Sequence, residues 1–344
     1  MKKIGLLLSV LIATSAFGES KIALSGAGAT FPQPFYNMAF QDYAKLKGVE
    51  VTYGGIGSGG GIRSLSDKVV DFGASDAFLS DEELAKMPAS VLHIPTCSGA
   101  VVIAFNLEGI SQIKLNPSTL TKLFMGQITN WNDAELKKLN PTINFPNLEI
   151  TLVHRSDGSG TTNMFTDYMC KVSPEWKIKL GSGKSVNWPT GVGAKGNPGV
   201  AGTISQTNGA IGYIGSEYAF AQNISSALLQ NSAGKYMKAS IASVSAAAKG
   251  SIPADTRVMI TNSSAPDAYP ISGFTWILLY KEQNYNNRSY NQALATIQLL
   301  YWMVSPTAQS MAGKVNYAPL PSSAVAKAKA ILRTVTYNGK KILK

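Results

Sequence analysis

The nine residues from His154 to Thr162, HRSDGSGTT, hold an arginine, an aspartate, two glycines and four hydroxyls. A surface turn uses Gly, Ser and Asp freely but has no need of an arginine fixed among them. The planar guanidinium of Arg155 offers forked donors suited to a tetrahedral oxyanion, although strand-end arginines more often just face solvent. Asp157, two residues on, stands where it could restrain that guanidinium or cap a following helix, and the two roles are compatible. The stretch reads as one wall of a socket for a small oxyanion.

Asp76, in DFGASD, is the odd partner. A carboxylate beside an anion socket repels the guest unless the guest has a proton to give. Phosphate near neutral pH keeps a P–OH, whereas sulfate has none, so an aspartate acceptor would admit the first and penalise the second. A site built around a ligand hydroxyl can reject an analogue lacking it by roughly 10⁴-fold. The plainer alternative is that Asp76 caps the helix at DEEL.

These residues need elements to hold them. KIALSGAG, VEVTYGGIG, VDFGASD, AVVIAFNL, LEITLVHR, AIGYIG and FTWILLYKE read as strands. PQPFYNMAFQDYAKL, IRSLSDKV, STLTKLFMGQI, TTNMFTDYMCKV and NQALATIQLLYWMV read as helices between them. The alternation predicts an α/β architecture with parallel strands. Three times a strand ends in glycines and hydroxyls before a helix: SGAGATF, GIGSGGG and RSDGSGTT. Unpaired N–H groups at a helix start favour anions, and ligands of open α/β sheets sit beyond the carboxyl ends of the strands.

Other chemistries are poorly served. Gly55-x-Gly57-x-x-Gly60 matches a dinucleotide fingerprint by letter, but the acidic residue expected about 20 positions on is not clearly placed. Gly183-Lys184-Ser185 lacks the earlier glycine of a phosphate-binding P-loop, and neither Ser58 nor Ser159 sits in a nucleophile elbow. With His93 and His154 the sole histidines, a metal site is not expected.

The chain has 344 residues, 45% apolar and 15% charged, an ordinary folded composition. Lys2 and Lys3, the apolar run Ile4 to Phe17 and the small residues near Gly18 read as an export leader, residues 1–18. The apolar run falls short of the roughly 20 residues that span a bilayer. Without the leader the net charge of +11 becomes +9, spread singly apart from a basic end at Lys327, Lys329, Arg333, Lys340, Lys341 and Lys344. No aromatic-interleaved basic stripe points to nucleic acid. Export permits a disulfide between Cys97 and Cys170, and two buried free thiols are the equal alternative.

In order and spacing, GAGATFPQP, GIGSGGGI, VDFGASDAFLSDEEL and RSDGSGTT resemble the periplasmic phosphate-binding proteins that serve phosphate-specific ABC importers. The resemblance runs on through NWPTGVGAKGNPGVA, GAIGYIGSEYA, PISGFTWILLYKE and NYAPLP, essentially to the end of the chain. It implies a two-lobed periplasmic-binding-protein fold of type II, with discontinuous lobes hinged by crossover segments. Lobe one would comprise residues 19–96 and 273–344, and lobe two residues 97–272.

Carried over residue by residue, the resemblance implies phosphate contacts from Thr30, Phe31, Ser58 and Asp76 on one lobe. Arg155, Ser159, Gly160 and Thr161 would contribute from the other, with Asp157 restraining Arg155. It also implies a monomeric, non-enzymatic periplasmic receptor without cofactor or nucleic acid, delivering inorganic phosphate to the permease subunits of an ABC importer. A receptor for sulfate or molybdate, or a secreted phosphate-ester hydrolase, is the alternative. The chain departs from the pattern at Gly59, where a second serine is common, at Phe78, where proline is common, and at Cys97-Ser98.

Overall fold

A computed structural model describes residues 22–343, and the expected leader lies outside them. Strand β1 (Ala23–Gly28) runs into helix α1 (Gln33–Lys47), which starts behind Pro32 and stops at Gly48 in the left-handed conformation, φ 69°. Helix α1 buries Phe35, Tyr36, Ala39, Phe40 and Tyr43, one apolar stripe at helical spacing. Strand β2 (Glu50–Gly55) feeds α2 (Ser58–Ser66), which begins at the SGGG run, earlier than IRSLSDKV predicts. Strand β3 (Phe72–Ser75) leads to α3 (Asp81–Ala85). The long β4 (Val91–Phe105) follows, buried at every position but Leu92.

Farther along come β5 (Thr151–Arg155), α4 (Gly160–Val172), β6 (Val192–Ala194) and α5 (Gly196–Gln206). Strand β7 (Ala210–Gly215), α6 (Ser216–Ala221) and β8 (Ser272–Tyr280) complete the frame around the site. The apolar stretch NQALATIQLLYWMV forms the helix Tyr290–Met303, with Val304 as its C-cap. No helix among the described residues is long and apolar enough to cross a membrane.

The strands line up as β2-β1-β3-β8-β4-β7-β5-β6. Pairings β1/β2, β1/β3, β5/β6 and β5/β7 are parallel, as the alternation of strands and helices predicts. Pairings β8/β3, β8/β4 and β4/β7 are antiparallel, which that alternation does not predict. The reason is connectivity. Strand β4 pairs with β8 along its first part and with β7 along its last, so it runs through the middle of the sheet without a helix crossover to its neighbours, and helix crossovers are what make strands parallel. Residues 91–100 of β4 pair with β8, whereas Val101 to Phe105 pair with β7. At Pro95, which has no N–H for the ladder, the register slips by one residue and Thr96 is accommodated as a bulge.

Each lobe packs aromatic rings behind its part of the site. In one, Tyr36 lies between Phe40 and Tyr53, and Tyr317 meets Phe31 edge-on. In the other, Phe165 stacks on Tyr213 at 4.7 Å, with Trp188 and Phe124 around them. Fully burying such a ring contributes about 1.5–3 kcal/mol, so these clusters are rigid platforms for the polar groups they carry. Phe78, where the resembled family commonly has proline, docks edge-on against Trp276. Cys97 and Cys170 are both free thiols.

Candidate functional site

The three strand-end loops meet in space, Ser58 with Gly160 and Thr30 with Thr161 through Asn197. Thr30 and Phe31 follow β1, Ser58 is the first residue of α2, and Asp76 follows β3. From the other lobe, Arg155 ends β5, Ser159 caps α4, and Gly160 and Thr161 form its first turn. Thr30, Phe31, Ser58, Asp76, Arg155, Ser159 and Thr161 are all at most 4% exposed. Burial of so many polar groups together requires that they pair with one another or with a guest.

The structure brings them together. Ser58 Oγ accepts from Gly160 N at 3.0 Å and from Asp76 N at 3.2 Å, joining the α2 start, β3 and the α4 start at one atom. The N–H of Gly160 is thus engaged across the cleft. A Cβ on Gly160 would lie 2.6 Å from both the Asp76 Cβ and the Ser58 Oγ, so this close approach needs glycine. Gly59 N donates to Gly158 O at 2.8 Å, again between lobes. A Cβ at Gly59 would lie 3.2 Å from Gly158 Cα, a tight contact at the position where serine is common in the resembled family. Lys184 pairs with Glu83 at 2.5 Å, and Tyr218 donates to Thr30 O at 2.5 Å. The lobes are closed on each other.

Arg155 is fixed from three sides. Its Nε and Nη2 donate to the two Asp157 carboxylate oxygens at 2.7 and 2.6 Å, and Nη1 donates to Thr161 Oγ1 at 3.3 Å. Its backbone N–H donates to the Tyr213 hydroxyl at 3.1 Å. Guanidinium has five N–H bonds, so two remain uncommitted and available to an oxyanion. Burial pushes the Asp157 carboxyl up, but the Arg155 fork and the Gly196 N–H outweigh it and hold Asp157 below the usual carboxylate range. Asp157 therefore acts as a restraint. The cap of α4 is Ser159, whose Oγ accepts from Thr162 N at 3.0 Å.

Asp76 sits in the opposite electrostatic situation. Burial pushes its carboxyl up to about 7, against the Thr275 hydroxyl and the Arg155 charge, which pull it down. Thr275 Oγ1 donates to Asp76 Oδ1 at 2.8 Å and holds the carboxyl in place. The cap of α3 is Ser80, in a box with Glu83, so the capping alternative for Asp76 does not hold. The ring of Phe31 lies in the core, and its carbonyl accepts from Tyr317, so its N–H is the group that can face a guest.

Sequence reasoning missed the residues that link these groups. Asn197, at the start of α5, contacts Thr30, Thr161 and Gly215. Gly196 N donates to Asp157 Oδ1 at 3.0 Å from a left-handed φ of 70°. Glu217, on α6, is buried with both carboxylate oxygens unpartnered among the described residues, and burial raises its carboxyl far above the usual range. The tight GNP turn within NWPTGVGAKGNPGVA is the local signal for Asn197 and Gly196; nothing local marks Thr275 or Glu217.

Comparison with known proteins places the chain in a family. Residues 15–307 match the PBP superfamily domain. The phosphate-binding protein PstS of Xylella fastidiosa (strain Temecula1) is 39% identical over 316 residues, covering 90% of this chain and 85% of that protein. The phosphate-binding protein PstS of Pasteurella multocida is 38% identical over 339 residues, 97% and 96% of the two chains. Among solved structures, a phosphate-binding protein from Stenotrophomonas maltophilia superposes with a TM-score of 0.67 at 19% identity, over 90% of this chain and 93% of that one. The chain belongs to the PBP superfamily and, within it, to the PstS phosphate-binding proteins.

Proposed function

We propose that this protein binds inorganic phosphate between its lobes and delivers it to an ABC importer, and that it is not an enzyme. One observation carries the reading: a buried carboxylate, Asp76, shares a closed cleft with a guanidinium that has two free N–H bonds. Donors alone would accept any oxyanion. An acceptor among them selects one that carries a proton, which phosphate does and sulfate or molybdate at neutral pH does not.

In this reading Thr30 and Phe31 donate backbone N–H groups and the Thr30 hydroxyl. Ser58, Ser159, Gly160 and Thr161 donate from two helix starts, Arg155 supplies its free N–H pair, and Asp157 keeps it aimed. The N–H of Gly160 is shared with Ser58, so its contribution is the smallest of the set. Each charge-assisted bond contributes about 1.5–3 kcal/mol before the cost of ordering. Because the contacts divide between lobes, the guest favours the closed state over the open one.

The lobes are taken as residues 19–96 with 273–344, and 97–272; the switch of β4 partners after Ala100 supports a crossing within that strand. The protein works as a monomer in the periplasm after loss of its leader near Gly18, and its partners are the permease subunits of the importer. Titration calorimetry with phosphate and with sulfate at pH 8 tests the reading. Strong phosphate binding with no sulfate heat is expected; matched affinities would remove Asp76 as the selector and the phosphate assignment with it.

A further inference from the structure

We propose that Asn197 is a positioning residue that forces the Thr30 and Thr161 hydroxyls to be donors toward the bound anion; this rests on the phosphate reading above. The inference follows from counting lone pairs. A threonine hydroxyl has one hydrogen and two acceptor sites. Thr30 Oγ1 accepts from Asn197 N at 3.0 Å and from Asn197 Nδ2 at 3.1 Å, so both acceptor sites are filled. Thr161 Oγ1 accepts from Asn197 Nδ2 at 3.1 Å and from Arg155 Nη1 at 3.3 Å, so both of its sites are filled as well. Among the described residues neither hydroxyl donates to a protein acceptor. The one hydrogen left on each is therefore free for a guest.

The orientation of the amide is fixed by its other end. Gly215 N, which can only donate, donates to Asn197 Oδ1 at 3.0 Å, so the NH₂ group must point at the two threonines. Every polar atom of the Asn197 side chain is then used, and the side chain is fully buried. Thr30 belongs to the lobe of β1 and Thr161 to the lobe of β5, so one amide sets the polarity of both walls and does so when the lobes meet. The consequence is selectivity. With these two hydroxyls unable to accept, and both acceptor sites of Ser58 Oγ filled by Gly160 N and Asp76 N, the strong acceptor left among the side chains of the proposed set is the Asp76 carboxyl, and a guest's proton is steered to it.

The test is a mutant cycle on the full-length mature protein, read by calorimetry with inorganic phosphate. Asn197→Ala is expected to weaken binding about a hundredfold, the scale of two charge-assisted bonds made unreliable. In a Thr30→Val, Thr161→Val background the same change is expected to cost less than about threefold, because the groups through which it acts are gone. Equal losses in both backgrounds would overturn the proposal, as would wild-type affinity in Asn197→Ala.

Asn197→Asp keeps the shape and the acceptor for Gly215 but turns the donors into an acceptor, and it carries the cycle if the alanine variant does not fold. It is expected to lose more than Asn197→Ala in the wild-type background and much less in the valine background. Equal losses in both would again overturn the inference. Failure of wild-type protein itself to bind phosphate would instead sink the functional reading, so the two failures are distinct.

Discussion

Two carboxylates in one cleft have opposite fates. On the β5 wall, Asp157 meets the Arg155 fork at 2.6 and 2.7 Å and takes a backbone N–H, so it stays ionised although half-buried. On the β3 wall, Asp76 has one hydroxyl partner and near-complete burial, and its carboxyl rises to about 7. The first cancels part of a positive charge and fixes its direction. The second is poised to exchange a proton with whatever lies beside it. Residue type alone does not distinguish a restraint from a sensor; the number of donors around each carboxylate does.

The contrast can be broken most severely at Arg155. Arg155→Ala leaves Asp157 without its partner and removes the free N–H pair, so phosphate affinity should fall by about 10³-fold, the scale of breaking a buried charge pair. Calorimetry checks this, and an unchanged affinity would dismiss the guanidinium as a ligand. Next is Asp76→Asn, which trades the acceptor for a group that can also donate. Phosphate should weaken by roughly 10²-fold while sulfate gains, narrowing the selectivity ratio from the range of about 10⁴ expected of such sites. Competition of sulfate against a fluorescent phosphate readout measures the ratio directly.

Acidity sharpens the same comparison. As pH falls through about 7, Asp76 becomes neutral and stops repelling sulfate, so sulfate binding to wild-type protein should appear below pH 7 and be absent at pH 8. In ligand-free protein the raised carboxyl stabilises the fold fully below the ordinary carboxylate range, and that contribution is lost as pH rises toward about 7. Melting temperature should therefore fall more between pH 5 and pH 8 in wild type than in Asp76→Asn. Asp157 titrates the other way and contributes nothing to that window, since its carboxyl lies below the ordinary range.

The smallest effect belongs to the rim. Lys184 and Glu83 join the lobes but are 22% and 37% exposed, and such pairs are worth about 0–1 kcal/mol. Lys184→Ala should change phosphate affinity by less than about fivefold, most visibly at low salt. A larger loss would mean that closure depends on this latch more than on the buried groups.

The loops were legible because their chemistry is local. Glycines and hydroxyls at strand ends, an arginine among them, and the helix starts behind them all lie within a few residues of one another. What the sequence hid acts over distance. Asn197 reaches Thr30 across 167 positions, and Thr275 reaches Asp76 across 199. Strands β4 and β8 are buried on both faces, so they carry no alternation from which direction could be read.

The long strand at the middle of the sheet constrains how the molecule can open. Val91 to Phe105 runs unbroken from one lobe into the other, and Val101 N is tied to Ile271 O at 2.8 Å where the returning segment passes. Two neighbouring ribbons crossing at one level resist shear and stretching but tolerate twisting and bending. Release of the guest then amounts to a rotation about that pair of ribbons, with the mouth of the cleft travelling farthest and the ladder itself left intact.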